Sequence, residues 1–261
     1  MKSILFLIAL STQTFAWGPI GHRTVGEIAE KSLSPAALKK LAPILNGQSF
    51  AKLSTWPDEI KSEPDKYKYT FKWHYTEWKN EDETYHENPE NGTLISAIKD
   101  NLEKLKSPKS SLDEKRFALS FVIHLVGDLH MPLHVGNGLD RGGNWCSVFF
   151  HDDRTNLHSL WDEGMIDFQN LSFSELVRFV SENKKLSTLD LKPGQILEWA
   201  KESKLVRETL YPKGYDQKVY CQQTVSDDKI PRLAFPYSYE FLPVVEERLY
   251  LAGKRLALLL E

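Results

Sequence analysis

The stretch Phe121-Val-Ile-His124-Leu-Val-Gly-Asp128-Leu-His130-Met-Pro-Leu-His134 decides how the whole chain is read. His124 and Asp128 stand four residues apart inside an apolar run, which puts both on one face of a helix. His130 and His134 follow on either side of Pro132. A buried imidazole or carboxylate loses its water, so such groups are paired, hydrogen-bonded or bound to metal. The run predicts a buried helix from about Leu112 to Met131 that Pro132 bends or ends, carrying side chains that need a partner.

Working outward, the preceding segment from about Thr93 to Lys106 has helical spacing, with Leu94, Ile95, Ile98, Leu102 and Leu105 on one face. Before it, residues 79–92 are acidic and polar and contain Asn88-Pro and Asn91-Gly, an exposed loop. Trp73-His74-Tyr75 ends an aromatic, basic segment. Trp56-Pro-Asp58 reads as a loop running into a short helix. Ser34-Pro35 is a cap followed by a proline at the first helical position, starting a helix to about Leu45. Arg23 to Leu33 is helical by its apolar spacing.

On the other side, Gly142-Gly-Asn144 signals a turn, and Trp145 to Phe150 reads as a strand, half of a small hairpin. A helix from Asn156 to Asp162 repeats the four-residue pair, now as His158 and Asp162. Further helices fit 172–183, about 193–211 and about 238–260. No internal repeat or composition break divides the chain, so residues 17–261 read as one compact, mainly α, multi-helix domain with a small β-hairpin.

Residues 1–16 are of another kind. Lys2 is followed by the short apolar run Ile4–Leu10 and by Thr14-Phe-Ala16, the pattern of a cleaved signal peptide. The expectation is an exported protein, periplasmic or secreted, without a membrane anchor and monomeric, whose mature chain begins at Trp17. Export makes a bridge between Cys146 and Cys221, the only two cysteines, possible; two separate buried thiols are the alternative. The net charge of -3 excludes binding to nucleic acid through a broad basic surface. A phosphate partner must be held locally, by metal or by a few cations.

Six of the eight histidines, His22, His74, His124, His130, His134 and His158, sit in apolar or aromatic surroundings. Imidazole and carboxylate without thiolate suit a catalytic zinc site. Taken singly, each has a bland reading: a buried histidine is usually a hydrogen-bonded core residue, and an aspartate such as Asp58 is usually a helix cap.

Together, the ordered blocks resemble the exported zinc-dependent nucleases that cut single-stranded nucleic acid: the fungal S-one/P-one type and the plant bifunctional nucleases. Zinc phospholipases C are more distant. The blocks are Trp17 with His22, Trp56-Pro-Asp58, His74, His124-x-x-Gly-Asp128-x-His-x-Pro-Leu-His134, Gly142-Gly-Asn144 and Thr155-Asn-Leu-His-x-x-Trp-Asp162. Weaker echoes are Trp199-Ala-x-Glu-Ser203 and Ala252-Gly-x-Arg-Leu256.

The resemblance implies three zinc ions. Asp58, His74 and His124 would hold one, and His134, His158 and Asp162 a second. His22, with the amine and carbonyl of an N-terminal Trp17, would hold the third, and Asp128 would bridge the first and third. His130 would support or pack. The implied reaction is hydrolysis of phosphodiesters of single-stranded DNA and RNA, and of 3′-nucleotides, to products that include a 5′-phosphate on the nucleic-acid fragments.

The chain departs from the family pattern at several points. Lys61 stands where an arginine is usual, and keeps the charge but not the fork; it is expected to stabilise the charged transition state. Tyr75 and Glu77 replace a Phe and an Asp. Tyr75 is expected to stack on a base or to pack in the core, and Glu77 with Asn144 to bind the base edge. The rivals are a zinc phospholipase C, disfavoured by Asp162 where those enzymes favour Glu, and a non-catalytic zinc-binding protein.

Overall fold

The computed structural model describes residues 17–261; the expected leader over residues 1–16 lies outside the described residues. Seven long helices carry the fold: α1 (Pro19–Ser32), α2 (Pro35–Leu45), α3 (Leu94–Lys106), α4 (Leu112–His130), α5 (Phe173–Glu182), α6 (Ile196–Thr209) and α7 (Phe235–Leu260). The helix anticipated from Arg23 begins one turn earlier, because Pro19 presets the first helical φ. Ser34 caps α2 by accepting from the Ala37 amide.

The opening stretch forms most of α4. Ser111 and Glu114 close a reciprocal capping box at its start, and every residue from Ala118 to His130 is buried. α1, α3, α6 and α7 all pack against it, so no face of its second half meets water. That explains why the segment is apolar all round except at His124, Asp128 and His130. At Met131 the backbone turns extended, and Pro132–His134 form a tight 3₁₀ turn.

Two small sheets accompany the helices. β1 (Thr76–Glu77) runs parallel to β2 (Val135–Gly136), with Thr76 opposite Val135. β3 (Ser147–Phe150) and β4 (Asp153–Asn156) make the expected hairpin, in register from Ser147–Asn156 to Phe150–Asp153. β5 (Arg232–Leu233) adds to β3 in parallel, which the sequence reading does not include. Cys146 and Cys221 are bridged, 75 residues apart; closing a loop of that size stabilises by about 4–5 kcal/mol in the chain-entropy view.

Buried arginines join these parts. Arg207 of α6 donates to the Trp78 carbonyl at 3.0 Å and to the Val135 carbonyl, clamping β1 and β2 together. Arg255 of α7 donates to His130 Nε2 at 2.9 Å and to both carboxylate oxygens of Glu202. Arg248 donates to the His130 carbonyl and to the Ser203 hydroxyl. The two weaker sequence blocks around Trp199 and Ala252 are therefore one network that fastens α6 and α7 to the end of α4. Burial alone would raise the Glu202 carboxyl, but hydrogen bonds from Arg255 and Lys192 outweigh it and hold it at about 2.

Candidate metal centre

Six segments converge where α4 ends. α4 supplies His124 and Asp128 from one face. The first turn of α1 supplies His22. A short helical turn, Trp56–Glu59, supplies Asp58. The 3₁₀ segment Lys68–His74 ends in His74, and His134 closes the turn after Pro132. His158 and Asp162 lie on a helical stretch after β4, which widens to a π-turn over Leu160–Gly164. Such π-turns recur at functional sites.

Three groups of donors result. Asp58, His74 and His124 form one; His134, His158 and Asp162 a second; His22, His124 and Asp128 a third. Within each, donor atoms lie within 4.8 Å of one another. His74 Nδ1 is 2.9 Å from His124 Nε2 and 3.2 Å from an Asp128 oxygen. His22 Nε2 is 3.3 Å from the other Asp128 oxygen. Asp128 thus faces His74 and His124 with one oxygen and His22 with the other. His158 Nε2 and His134 Nε2 lie 3.0 Å and 3.7 Å from Asp162.

The far nitrogens fix which lone pairs point inward. His124, His134 and His158 donate from Nδ1 to the carbonyls of Ser54, His74 and Gly142, at 2.7, 2.5 and 2.7 Å. A carbonyl only accepts, so each ring carries its proton on Nδ1 and turns a bare Nε2 toward the group centre, as metal-bound imidazoles do. His74 presents Nδ1 instead. His130 joins no group; its Nδ1 donates to Val126 and its Nε2 accepts from Arg255.

Two glycines make room. A Cβ at Gly127 would lie 3.1 Å from His22 Nδ1, and the bare backbone lets the His22 ring lie against α4, stacked on His124 at 3.8 Å between ring centres. Gly142 has φ +59°, and a Cβ there would meet the Leu133 carbonyl oxygen at 2.4 Å. Only glycine allows the approach that brings the Gly142 carbonyl to His158.

The electrostatics suit a cation. Burial, reinforced by neighbouring histidines and Lys61, pulls His22, His74 and His134 well below the ordinary imidazole value, keeping them neutral. Burial pushes Asp162 up and Asp128 up to about 7. At His124 burial disfavours the charged form, but Asp128 and Asp58 outweigh it and raise the ring. The His124–Asp128 pair therefore retains a proton near neutral pH that a bound cation would displace. Atoms of His22, Asp128, His134 and Asp162 inside these groups have no hydrogen-bond partner although buried. Buried donors and acceptors are seldom left so; neutral imidazoles and carboxylates aimed at common points fit a zinc ion.

Trp17 is fully buried beside the third group, and the following amide, Gly18, donates to the Asp162 carbonyl at 2.9 Å.

The same blocks carry the likeness to known proteins. The family pattern described as S1/P1 Nuclease matches residues 17–261. The chain belongs to the S1/P1 nuclease family. Endonuclease 3 of Arabidopsis thaliana is 30% identical over 275 residues, covering 98% of this chain and 91% of the plant protein. Nuclease S1 of Aspergillus oryzae is 29% identical over 282 residues, covering 96% and 92%. Nuclease P1 of Penicillium citrinum is 30% identical over 158 residues, 57% of this chain and 58% of the fungal protein.

In this nuclease, a hydrolase by family, the second histidine group opens onto a cleft of about 490 Å³. His74, His134 and His158 reach it from the donor groups, and Lys61, Tyr75, Glu77 and Asn144 line it as well. Lys61 Nζ is 2.6 Å from Asp58 Oδ1, and both are largely buried. Tyr75 is 37% exposed, so its ring is a cleft wall instead of a core filler. The Glu77 carboxyl is pushed up by partial burial. Asn144 donates its side-chain amide to the Arg141 carbonyl at 2.8 Å. Arg141 also lines the cleft; the sequence reading passed over it, since nothing near it in the sequence marks which way its turn faces.

Proposed function

We propose that this protein is an exported endonuclease that uses three zinc ions to hydrolyse single-stranded DNA and RNA to 5′-phosphate products, and that it also acts on 3′-nucleotides. The observation that carries the reading is the convergence of buried imidazole and carboxylate donors into three groups, with atoms of His22, Asp128, His134 and Asp162 left without a hydrogen-bond partner, beside a nucleotide-sized cleft. Asp58, His74 and His124 would hold one ion, and His134, His158 and Asp162 a second. His22 would hold the third with the amine and carbonyl of Trp17, once residues 1–16 have been removed, with Asp128 shared between the first and third. Bound zinc supplies Lewis acidity, which activates water near neutral pH and takes up charge on the phosphate.

The chain's own groups do the rest. Lys61, held against Asp58, donates to a non-bridging phosphate oxygen as charge builds there. Tyr75 presents its ring for a base to stack on, which requires that base to be out of a duplex. Glu77 accepts from, and Asn144 donates to, the edge of the same base. The fixed backbone of β1, clamped by Arg207, keeps these groups at a constant distance from the donor groups. The enzyme works as a monomer. No helix among the described residues is long and apolar enough to cross a membrane, in keeping with release into the periplasm or medium, and the Cys146–Cys221 bridge fits an oxidising compartment.

Purified mature protein, incubated with single-stranded DNA, duplex DNA, RNA, a 3′-nucleotide and phosphatidylcholine, with and without chelator, tests this. Chelator-sensitive cleavage of single strands with 5′-phosphate ends is expected. Cleavage of lipid alone would mean a phospholipase C, and no turnover at full zinc occupancy would mean a zinc-binding protein.

A further inference from the structure

The cleft contains a second cation whose placement the preceding reading leaves unused. Arg141 sits in the turn between β2 and β3 with φ +54°, followed by Gly142 at +59° and Gly143 at +80°. A left-handed arginine is disfavoured, and it persists here because the turn is stitched from several sides. The Gly143 amide donates to Asp140 Oδ1 at 3.0 Å and the Trp145 amide to the Asp140 carbonyl at 3.1 Å. The Asn144 side chain donates to the Arg141 carbonyl. Asp140 is itself buried and held by the Tyr211 hydroxyl at 2.6 Å. The same turn aims the Gly142 carbonyl at His158.

The Arg141 guanidinium is therefore hung from a rigid backbone one residue away from the group that orients a zinc-facing histidine. It lines the cleft and lies 6.0 Å over the exposed Trp145 ring. It pairs with no carboxylate among the described residues. The other cleft cation, Lys61, is committed to Asp58. In a chain of net charge -3, an arginine held at a fixed place in the substrate cleft without an acid partner suits an anion that arrives from outside.

We propose that Arg141 binds the phosphate adjoining the scissile one, so that the cleft grips a strand carrying at least two phosphates in preference to a single nucleotide. The inference rests on the nuclease reading above. A strand whose scissile phosphate lies at the donor groups and whose base stacks on Tyr75 carries its next phosphate into the same cleft, whose lining includes Arg141. Its planar fork matches two oxygens of one phosphate, and Trp145 behind it limits the rotamers it must give up on binding.

The test compares the zinc-loaded wild type with Arg141→Asn and Arg141→Lys on two substrates. One is a dinucleoside monophosphate, which has only the scissile phosphate; the other is pentathymidylate. Asparagine tolerates the left-handed backbone, so the turn survives the change; matching melting temperatures and zinc contents confirm it. Arg141→Asn is expected to lower kcat/KM on pentathymidylate about tenfold, the low end for a charge-assisted hydrogen bond, through KM. It should leave the dinucleoside monophosphate unchanged. The slope of log(kcat/KM) against log salt should flatten by about 0.7, one phosphate contact on a single strand. Arg141→Lys should restore the salt slope and part of the affinity.

Equal losses on both substrates, or none on either, overturn the proposal. Anisotropy of a labelled phosphorothioate pentathymidylate separates the two levels of the argument. If the wild type binds it more tightly than Arg141→Asn does but cleaves nothing, the phosphate contact stands and the nuclease reading falls. If both bind it equally while the wild type cleaves, the contact falls alone.

Discussion

Lys61 lines the cleft, lies 2.6 Å from Asp58 and is only 8% exposed. A cation kept there without a reacting anion gains little, since desolvation offsets most of the attraction. If it acts on the transition state, Lys61→Ala should lower kcat about 100-fold, as loss of one preorganised donor does, with KM and zinc content little changed. Steady-state kinetics with metal analysis on the same samples decides this; an unchanged kcat removes Lys61 from the chemistry. Gly142 gives a second residue-scale prediction. A Cβ there meets the Leu133 carbonyl oxygen at 2.4 Å, and backbone cannot move aside as a flexible side chain can. Gly142→Ala should therefore cost about 2–4 kcal/mol in stability and release His158 from its carbonyl, visible as a lower melting temperature together with reduced zinc uptake. A variant that binds zinc and melts like the wild type would show that the loop relaxes freely.

At the scale of elements, the end of α4 is held by a network no single stretch of sequence displays. Glu202 of α6 stands between Arg255 and Arg248 of α7 and Lys192, at 2.7, 3.4 and 2.8 Å. Breaking a largely buried pair leaves the partner charge uncompensated, so Glu202→Gln should cost about 3 kcal/mol, or about 6–12 °C in a domain of this size, by thermal melt. The carboxyl, held at about 2 when folded against 4.5 ordinarily, binds a proton more readily in the unfolded chain. Its contribution is present above pH 4.5 and lost as pH falls through about 2; Glu202→Gln should abolish that part of the acid sensitivity. Here the limit of sequence reading is physical. The long helices announce themselves by local period, and His124 with Asp128, or His158 with Asp162, by a four-residue step within one helix. Arg207, Arg248 and Arg255 look like solvated helix charges until residues tens to more than a hundred positions away bury them. The parallel pairing of two-residue β1 and β2 has no local signal at all, since parallel strands need no turn between them. Likewise, sequence put Tyr75 equally in the core or the cleft; the turn of backbone at β1 decides for the cleft.

For the whole molecule, the proposed zinc site would link metal, maturation and folding through the same buried centre. If the amine of Trp17 is a ligand, a chain that keeps one extra residue before Trp17 should hold about one zinc fewer per molecule than the mature form, while the two other donor groups stay loaded; equal stoichiometry by elemental analysis would exclude the amine. Without zinc, the centre makes stability depend on pH in a direction that can be worked out. His22, His74, His130 and His134 are all held well below the ordinary 6.5, chiefly by burial. Below pH 6.5 the unfolded chain thus binds four protons that the folded chain refuses. Asp128 and Asp162 act the other way, because burial raises them and the folded chain binds their protons first. His124, raised, is protonated in both states below 6.5 and drops out. Four histidines against at most two carboxylates leave the balance of protons with the unfolded chain. Stability of the chelated protein should therefore fall as pH drops below 6.5. Zinc requires the imidazoles neutral and the carboxylates ionised, so loading it should displace protons and make the decline begin at lower pH as zinc concentration rises. Urea unfolding of chelated and zinc-loaded protein across pH 5 to 7.5 measures both. A chelated protein that grows more stable on acidification would mean that Asp128 and Asp162, and not the histidines, govern the centre.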